Sequence, residues 1–466
     1  MPVEKRDRQQ LNLNSSTQTI YQDGKIEHIW NHSGQLEMFP NRWLRISFAA
    51  RKKNVVFNNL LCHFNIETLR EAFNALDGSK ALGTDGINKK VYGKNLEENL
   101  TDLVNRIHKG SYSPQTKRLV QIPKADGTTR PIAISCFEDK LVEWVMGKIL
   151  ECTYEPIFIR NSFGFRPYLS AHDAIKATYC SLKDDNRPYI VEIDFAKYFN
   201  SIPHRKLMKI LSKRISDRRF KGLIGRFLKV GVLEQSGITS SPEEGTPQGS
   251  IMSPILANIY LHYVLDEWFL QNYASYSDII VRYADDAVFF FKSEQKAKQF
   301  FAHLKERVSE FGLVLNEEKS VIINFSKNER NSFNFLGFTF YWDKKRPYIK
   351  QALKIKTQQK TLHRKIQDFY LWIKSCRSSL KIDRIWKLAK AKLQGHFNYY
   401  GFSDNLPKLN HFYYEAIRSL FVWLNRRSQK QSYTWEQFQE RLKFNPLPTV
   451  PSMAKLKHLN RRWAYV

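Results

Sequence analysis

Two adjacent aspartates stand inside a run that otherwise reads as a buried strand: Val281-Arg282-Tyr283-Ala284-Asp285-Asp286-Ala287-Val288-Phe289-Phe290-Phe291. An unpaired carboxylate is costly in such surroundings, by roughly several kcal/mol. The chain has two ways out. The strand can break into a hairpin at Asp285-Asp286, or a cation can sit against the acids, and both can hold together. Alternate strand residues face opposite ways, so a cation cage needs a further acid from another strand. Asp194 ends one, Tyr189-Ile-Val-Glu-Ile-Asp194. Two Mg2+ ions about 3.5–4 Å apart, held by such acids, stabilise both the attacking and the leaving oxygen in phosphoryl transfer. Hard oxygen ligands point to Mg2+, with Mn2+ as its substitute. On the pair alone, a solvated Asp-Asp turn explains the residues equally well.

Charge narrows the partners. The 466 residues carry 74 Lys+Arg against 45 Asp+Glu, a formal +29. That excess implies a polyanion, foremost nucleic acid. With 42% hydrophobic and 14% aromatic residues, wholesale disorder is excluded and two to four domains are expected. No uncharged apolar run approaches the roughly 18 residues of a membrane span. The charged start, Met1 to Gln10, lacks a secretory pattern. Cys62, Cys136, Cys152, Cys180 and Cys376 form no C-x-x-C pair, which speaks against a zinc site or a disulfide framework. The expectation is a cytoplasmic protein with reduced thiols and no membrane partner.

Texture divides the chain. Residues 1–45 are polar and weakly periodic. Ile66, Leu69, Phe73 and Leu76 show helical spacing, and Gly83-Thr-Asp-Gly86 interrupts it. Arg118 to Lys124 is rich in β-branched residues, with Asp126-Gly127 as a hairpin signal. Ser293 to Phe311 reads as an amphipathic helix. Residues 351–466 hold 23 Lys+Arg and 6 Asp+Glu, a net +17. A charge run is usually a solvated face, but this one, interleaved with Tyr and Trp on a helical pattern, exceeds what solubility needs and points to phosphate binding.

Further segments form an ordered series. Ile122-Pro-Lys124-Ala-Asp-Gly-Thr-Thr-Arg130-Pro131 comes first, then Asp194-Phe-Ala-Lys-Tyr-Phe199-Asn-Ser-Ile202. Gly245-Thr-Pro-Gln248-Gly249-Ser250 runs into Ser253-Pro-Ile-Leu-Ala-Asn258. Gly312-Leu-Val-Leu-Asn316-Glu-Glu-Lys319 and Phe335-Leu-Gly-Phe338 follow Tyr283-Ala-Asp-Asp286. In this order and spacing they resemble the motifs of reverse transcriptases. Asn161-Ser-Phe-Gly-Phe-Arg166-Pro167, Ser170-Ala-His-Asp-Ala-Ile175, Lys80-Ala-Leu-Gly-Thr-Asp-Gly-Ile87 and Gly395-His-Phe-Asn-Tyr-Tyr400 are similar to those of the group II intron-encoded branch. The resemblance spans residues 54–450.

The resemblance implies an α+β right-hand polymerase, with fingers and palm of antiparallel sheet plus helices, followed by an all-α basic thumb. The expected division is an N-terminal extension over 1–45, fingers over 46–188, palm over 189–342, a maturase-like helical thumb over 343–412 and a small basic DNA-binding-like segment over 413–466. Asp194, Asp285 and Asp286 would be catalytic and hold two Mg2+ ions, with the Phe195 carbonyl assisting. Lys124 and Arg130 would clamp the nucleotide's phosphates; by themselves they read as an exposed basic hairpin. Phe199 would exclude a 2′-hydroxyl; otherwise it is a core aromatic. Gln248 and Gly249 would bring backbone close to the nucleotide, and Lys319 would donate a proton to the leaving pyrophosphate, although a lone lysine is more often merely solvated. Phe335 to Phe338 would grip the primer end. Arg166, Lys354, Lys356, Arg364, Lys387, Lys390, Arg426 and Arg427 would contact nucleic acid. The partners implied are an RNA template, intron RNA included, a DNA primer or target, and deoxynucleotides; the oligomeric state stays open.

The leading function is therefore RNA-directed DNA synthesis, with intron-RNA binding as a maturase. One alternative is a domesticated relative in phage defence or CRISPR-associated spacer acquisition. Another is a non-catalytic splicing factor, against which the intact acids speak. A third is RNA-dependent RNA synthesis, which Phe199 disfavours. Many intron proteins continue into a His-Asn-His endonuclease with cysteine pairs. Val466 closes this sequence without one, so second-strand target cleavage is not expected of it.

Overall fold

The computed structural model describes residues 21–22, 25–26, 41–52, 54–123, 129–184, 186–234, 237–238, 243–247, 249–273, 278–343, 351–427 and 433–459. At its centre is a four-stranded antiparallel sheet in the order Val321–Asn324, Tyr189–Ile193, Asp286–Phe291, Ile279–Tyr283. Its strands are apolar on both faces because each face meets a different core. Val191, Ile193, Ile280, Ala287, Phe289 and Phe291 join one cluster. Ile190, Val281, Val288 and Phe290 join the other. The period of two sorts neighbouring residues into opposite cores, so an unbroken Val-Phe-Phe-Phe run is satisfied throughout.

The first core lies toward the N-terminal half. Its axis is the helix Phe137–Tyr154, buried nearly all round. The hairpin of Lys117–Pro123 and Thr129–Ile134 stands beside it, in register from Arg118 opposite Ile134 to Pro123 opposite Thr129. The short strand Val232–Glu234 adds in parallel. The turn at Asp126-Gly127 lies outside the described residues, as does most of 1–45. The helix Arg42–Ala50, however, starts inside that stretch. It is capped by Asn41, whose side chain accepts from the Trp43 N–H, and it buries Trp43, Ile46 and Ala50. A boundary at residue 45 would cut it.

The second core gathers the C-terminal elements. Strands Ser332–Phe335, Phe338–Trp342 and Leu353–Thr357 form an antiparallel sheet. Helices Gln359–Cys376, Ile382–Tyr400, Leu406–Leu424 and Trp435–Phe444 follow. An all-helical region from residue 343 is thus corrected: Leu353-Lys-Ile-Lys-Thr357 is a strand. Its apolar residues alternate with lysines at period two, and Leu353, Ile355 and Thr357 are buried while Lys354 and Lys356 are not. Among the described residues no helix is long and apolar enough to cross a membrane.

Candidate active site

The apolar run of the sequence breaks where charge demanded it. Ile279–Tyr283 and Asp286–Phe291 pair with Tyr283 opposite Asp286, leaving Ala284 and Asp285 as a two-residue turn. Ala284 takes a left-handed φ of 58°, a conformation that favours glycine and costs an alanine on the order of 1 kcal/mol. Tyr189–Ile193 pairs beside the hairpin with Ile193 opposite Ala287, so Asp194 emerges at the same sheet end as the turn.

These three acids feel one another. Desolvation, then the charges of Asp285 and Asp194, push the Asp286 carboxyl up to about 7. Its side chain opens to solvent, which discounts the first cause and leaves the like charges prominent. Asp285 is raised by burial and by Asp194, with Arg130 and Arg282 opposing. Glu192, two residues before Asp194 and therefore on its face of the strand, rises to about 7 through burial and the charges of Asp286 and Asp194. The sequence reading gave Glu192 no role. Asp194 itself is paired: Lys319 Nζ lies 3.1 Å from its Oδ2. Its backbone carbonyl accepts from the Asn316 N–H at 2.7 Å. Phe195 packs its ring into the first core and bridges to Leu315.

The donor set is all carboxylate oxygen and mutually repelling, which suits a hard divalent cation. Among the described residues, however, no three acidic, histidine or cysteine side chains are gathered tightly enough to form a ready cage.

Beneath the turn lies Arg282, which is fully buried. Its Nε and Nη2 donate to Asp266 at 2.8 and 2.5 Å, and its Nη1 donates to Asn258 Oδ1 at 3.0 Å and to the Ala284 carbonyl at 2.8 Å. Asp266 ends a single π-helical turn, His262–Asp266. From the side, Gly164 presses so closely that a Cβ there would stand 2.2 Å from Ala284 N. A charge within an apolar strand, one position before Tyr283, was the signal available for Arg282.

The nucleotide candidates divide. Lys124 and Gln248 lie outside the described residues. Arg130 is exposed and close enough to influence Asp285. Phe199 is half-buried, edge-on to exposed Phe165 with centroids 6.3 Å apart, and its carbonyl accepts from the Thr246 N–H at 2.6 Å. Gly249 has a φ of 108°, and a Cβ there would meet Ile132 Cγ2 at 2.6 Å and the Ala133 carbonyl at 2.8 Å. Only glycine fits so close to strand Thr129–Ile134.

A cleft of about 1010 Å³ adjoins the acids. Arg130, Asp286, Lys319, the turn Leu336-Gly337, Arg364, Lys365, Lys392, His396 and Tyr399 are among its lining residues. Of the proposed nucleic-acid contacts, Arg364 alone borders this cleft. Lys387 and Arg426 are exposed elsewhere, Arg426 over the Trp423 ring at 5.2 Å. The rest are engaged within the chain. Arg166 binds Glu155 and the carbonyls of Ile159 and Ser162, with 8% of its side chain exposed. Lys354 pairs with Asp343 at 2.6 Å, and Lys356 stacks on Tyr341. Lys390 donates to Asn445 Oδ1 at 2.8 Å, and Arg427 caps the Leu380 carbonyl at 3.0 Å. Arg166 in particular is a brace for the Asn161–Pro167 loop.

Comparison with known proteins finds similar chains. Residues 122–340 match the family described as reverse transcriptase (RNA-dependent DNA polymerase). Protein YkfC of Escherichia coli is 35% identical over 201 residues, 42% of this chain and 52% of that protein. The group II intron-encoded protein LtrA of Lactococcus lactis is 37% identical over 201 residues, 43% of this chain and 33% of that protein. An uncharacterised 91 kDa protein in a cob intron of Schizosaccharomyces pombe is 36% identical over 236 residues, 49% of this chain and 29% of that protein. The chain thus spans about half or less of these relatives' lengths. A solved telomerase from Candida albicans, in complex with a fragment of telomeric RNA, aligns with a TM-score of 0.42 and 14% identity over 76% of this chain and 65% of that chain.

Proposed function

We propose that this chain, which carries a reverse transcriptase domain of the group II intron-encoded kind, synthesises DNA on an RNA template by two-metal phosphoryl transfer. One observation carries the reading: the end of strand Tyr189–Ile193 and the Ala284-Asp285 turn bring three mutually repelling carboxylates to one end of the central sheet, and Asp286 among them lines a cleft with several basic residues. Asp194, Asp285 and Asp286 would hold the ions, with the Phe195 carbonyl beside them. When bound, Mg2+ ions neutralise the oxygens of the attacking and leaving groups.

The chain's own residues do the rest. Arg130 offers its guanidinium fork to the nucleotide's phosphates. Lys319, 3.1 Å from Asp194, would protonate the leaving pyrophosphate. Phe199, in edge contact with Tyr198 and Phe165, would exclude a 2′-hydroxyl. Gly249 lets backbone approach the base pair. The turn Leu336-Gly337 sits on the cleft wall with Asp286, where a primer end would lie, and Arg364, Lys365 and Lys392 face the duplex backbone. Binding intron RNA as a maturase belongs to the same reading, and relatives named as intron proteins favour it.

Primer extension on an RNA template with Mg2+ and deoxynucleotides is the test. The wild-type chain should extend, and Asp285→Asn with Asp286→Asn should reduce extension by roughly a thousandfold or more while RNA binding survives. Extension undiminished in that double variant would overturn the metal assignment.

A further inference from the structure

Glu143 sits on helix Phe137–Tyr154, away from the acids, and yet touches the loop that carries Gly249. Its side chain and that of Lys117 are both fully buried. Glu143 Oε1 accepts from Lys117 Nζ and from Ser135 Oγ, each at 2.9 Å. Oε2 accepts from the Ile251 N–H at 2.9 Å. One carboxylate therefore joins the first strand of the N-terminal hairpin, the residue just past its second strand, the long core helix and the loop two residues beyond Gly249.

Stability alone does not call for an ion pair at this place. Apolar residues of like volume in place of a buried ion pair are often neutral or stabilising. What they cannot supply is a fixed acceptor for one backbone N–H. The loop has its other mooring at the sugar side, where the Thr246 N–H donates to the Phe199 carbonyl and the Gly245 N–H to that of Ile202. Gly249 lies between the two moorings, pressed on Ile132 and Ala133.

We propose that Glu143, with Lys117 as its buried counter-charge, is a positioning residue that sets loop 249–251 against strand Thr129–Ile134 and thereby fixes the affinity for the incoming deoxynucleotide. The inference rests on the reading of Gly249 as a nucleotide contact.

The test compares two double variants of the full chain in primer extension. Lys117→Met with Glu143→Met removes both charges and the acceptor. Lys117→Met with Glu143→Gln removes both charges and keeps an acceptor oxygen for Ile251. The first leaves both the Ile251 N–H and the Ser135 hydroxyl without their acceptor; through the loss of the Ile251 anchor it should raise KM for deoxynucleotide about tenfold, with kcat and primer–template affinity nearly unchanged. The second should recover most of that loss. Equal KM values in both folded variants would overturn the proposal. If the Met pair does not fold, hydrogen exchange on the wild-type protein decides instead: a protected Ile251 amide supports the anchor, and a fast-exchanging one overturns it. Gly249→Ala separates the underlying reading. A raised KM there, with none in the Met pair, sinks the Glu143 inference alone; no change in either sinks the nucleotide assignment of the loop as well.

Discussion

Arg282 donates to the carbonyl of Ala284 at 2.8 Å, two residues ahead of it, while its other nitrogens grip Asp266. The strained turn that carries Asp285 thus rests on a guanidinium with no surface exposed. Arg282→Lys keeps the charge but loses the fork. It should lower unfolding free energy by about 3 kcal/mol, since a buried partner is left poorly paired, and cut kcat in primer extension. Arg282→Met with Asp266→Met should recover part of the stability in urea denaturation but not kcat, because the Ala284 carbonyl still lacks its donor. Recovery of both would show that Arg282 serves folding only.

How much of this was legible beforehand follows from energy. Two acids in an apolar run demand relief, so Asp285 and Asp286 announced a turn, and the structure has one at Ala284-Asp285. Ser293 was read as the start of a helix and is its N-cap. Lys354 and Lys356 were misread because net charge hid a period of two. Helix Arg42–Ala50 was missed although Trp43, Ile46 and Ala50 stand at helical spacing, since polar neighbours dominated the texture. Arg166 looked like a ligand for phosphate; its partner Glu155 lies 11 positions earlier and no short-range pattern pairs them. Glu143 and Lys117 could not be paired from sequence at all, for only the tertiary fold closes 26 residues into 2.9 Å.

Sugar selection supplies a second test. The Phe199 ring is held edge-on by Phe165 at 81° and by Tyr198 at 67°, so it cannot easily swing aside. Phe199→Val should raise ribonucleotide incorporation relative to deoxynucleotide by roughly tenfold to a hundredfold. Single-nucleotide incorporation kinetics measure the ratio, and an unchanged ratio would remove Phe199 from the sugar's path.

Salt dependence distinguishes the cleft cations from those engaged within the fold. If four to six phosphates are neutralised, RNA affinity should fall by roughly a hundredfold to a thousandfold between 50 and 200 mM salt. Arg364→Ala, on the cleft wall, should flatten the log–log slope by about 0.7–0.9. Arg427→Ala should leave the slope alone and lower thermal stability instead, since Arg427 caps Leu380. Equal slopes for wild type and Arg364→Ala would move the duplex off this cleft.

His396 carries a pH prediction. Its ring stacks on Phe412 with centroids 3.6 Å apart and planes within 10°, and its buried Nε2 has no hydrogen-bond partner among the described residues. Burial first, then the charge of Lys365, hold its pKa down to about 3 from the ordinary 6.5. Between those values the unfolded chain binds a proton that the folded chain refuses. Stability from this site is therefore complete above about 6.5 and is lost as pH falls toward 3. His396→Phe keeps the stacked ring and abolishes the titration. Between pH 7 and pH 4 the wild type should lose up to roughly 3 kcal/mol more than the variant, as each pH unit below 6.5 contributes about 1.4 kcal/mol. Urea unfolding at both pH values reads the difference directly. Parallel losses in the two proteins would mean that His396 is protonated in the folded state, and that the cleft wall beside Tyr399 and Tyr400 is wetter than its packing shows.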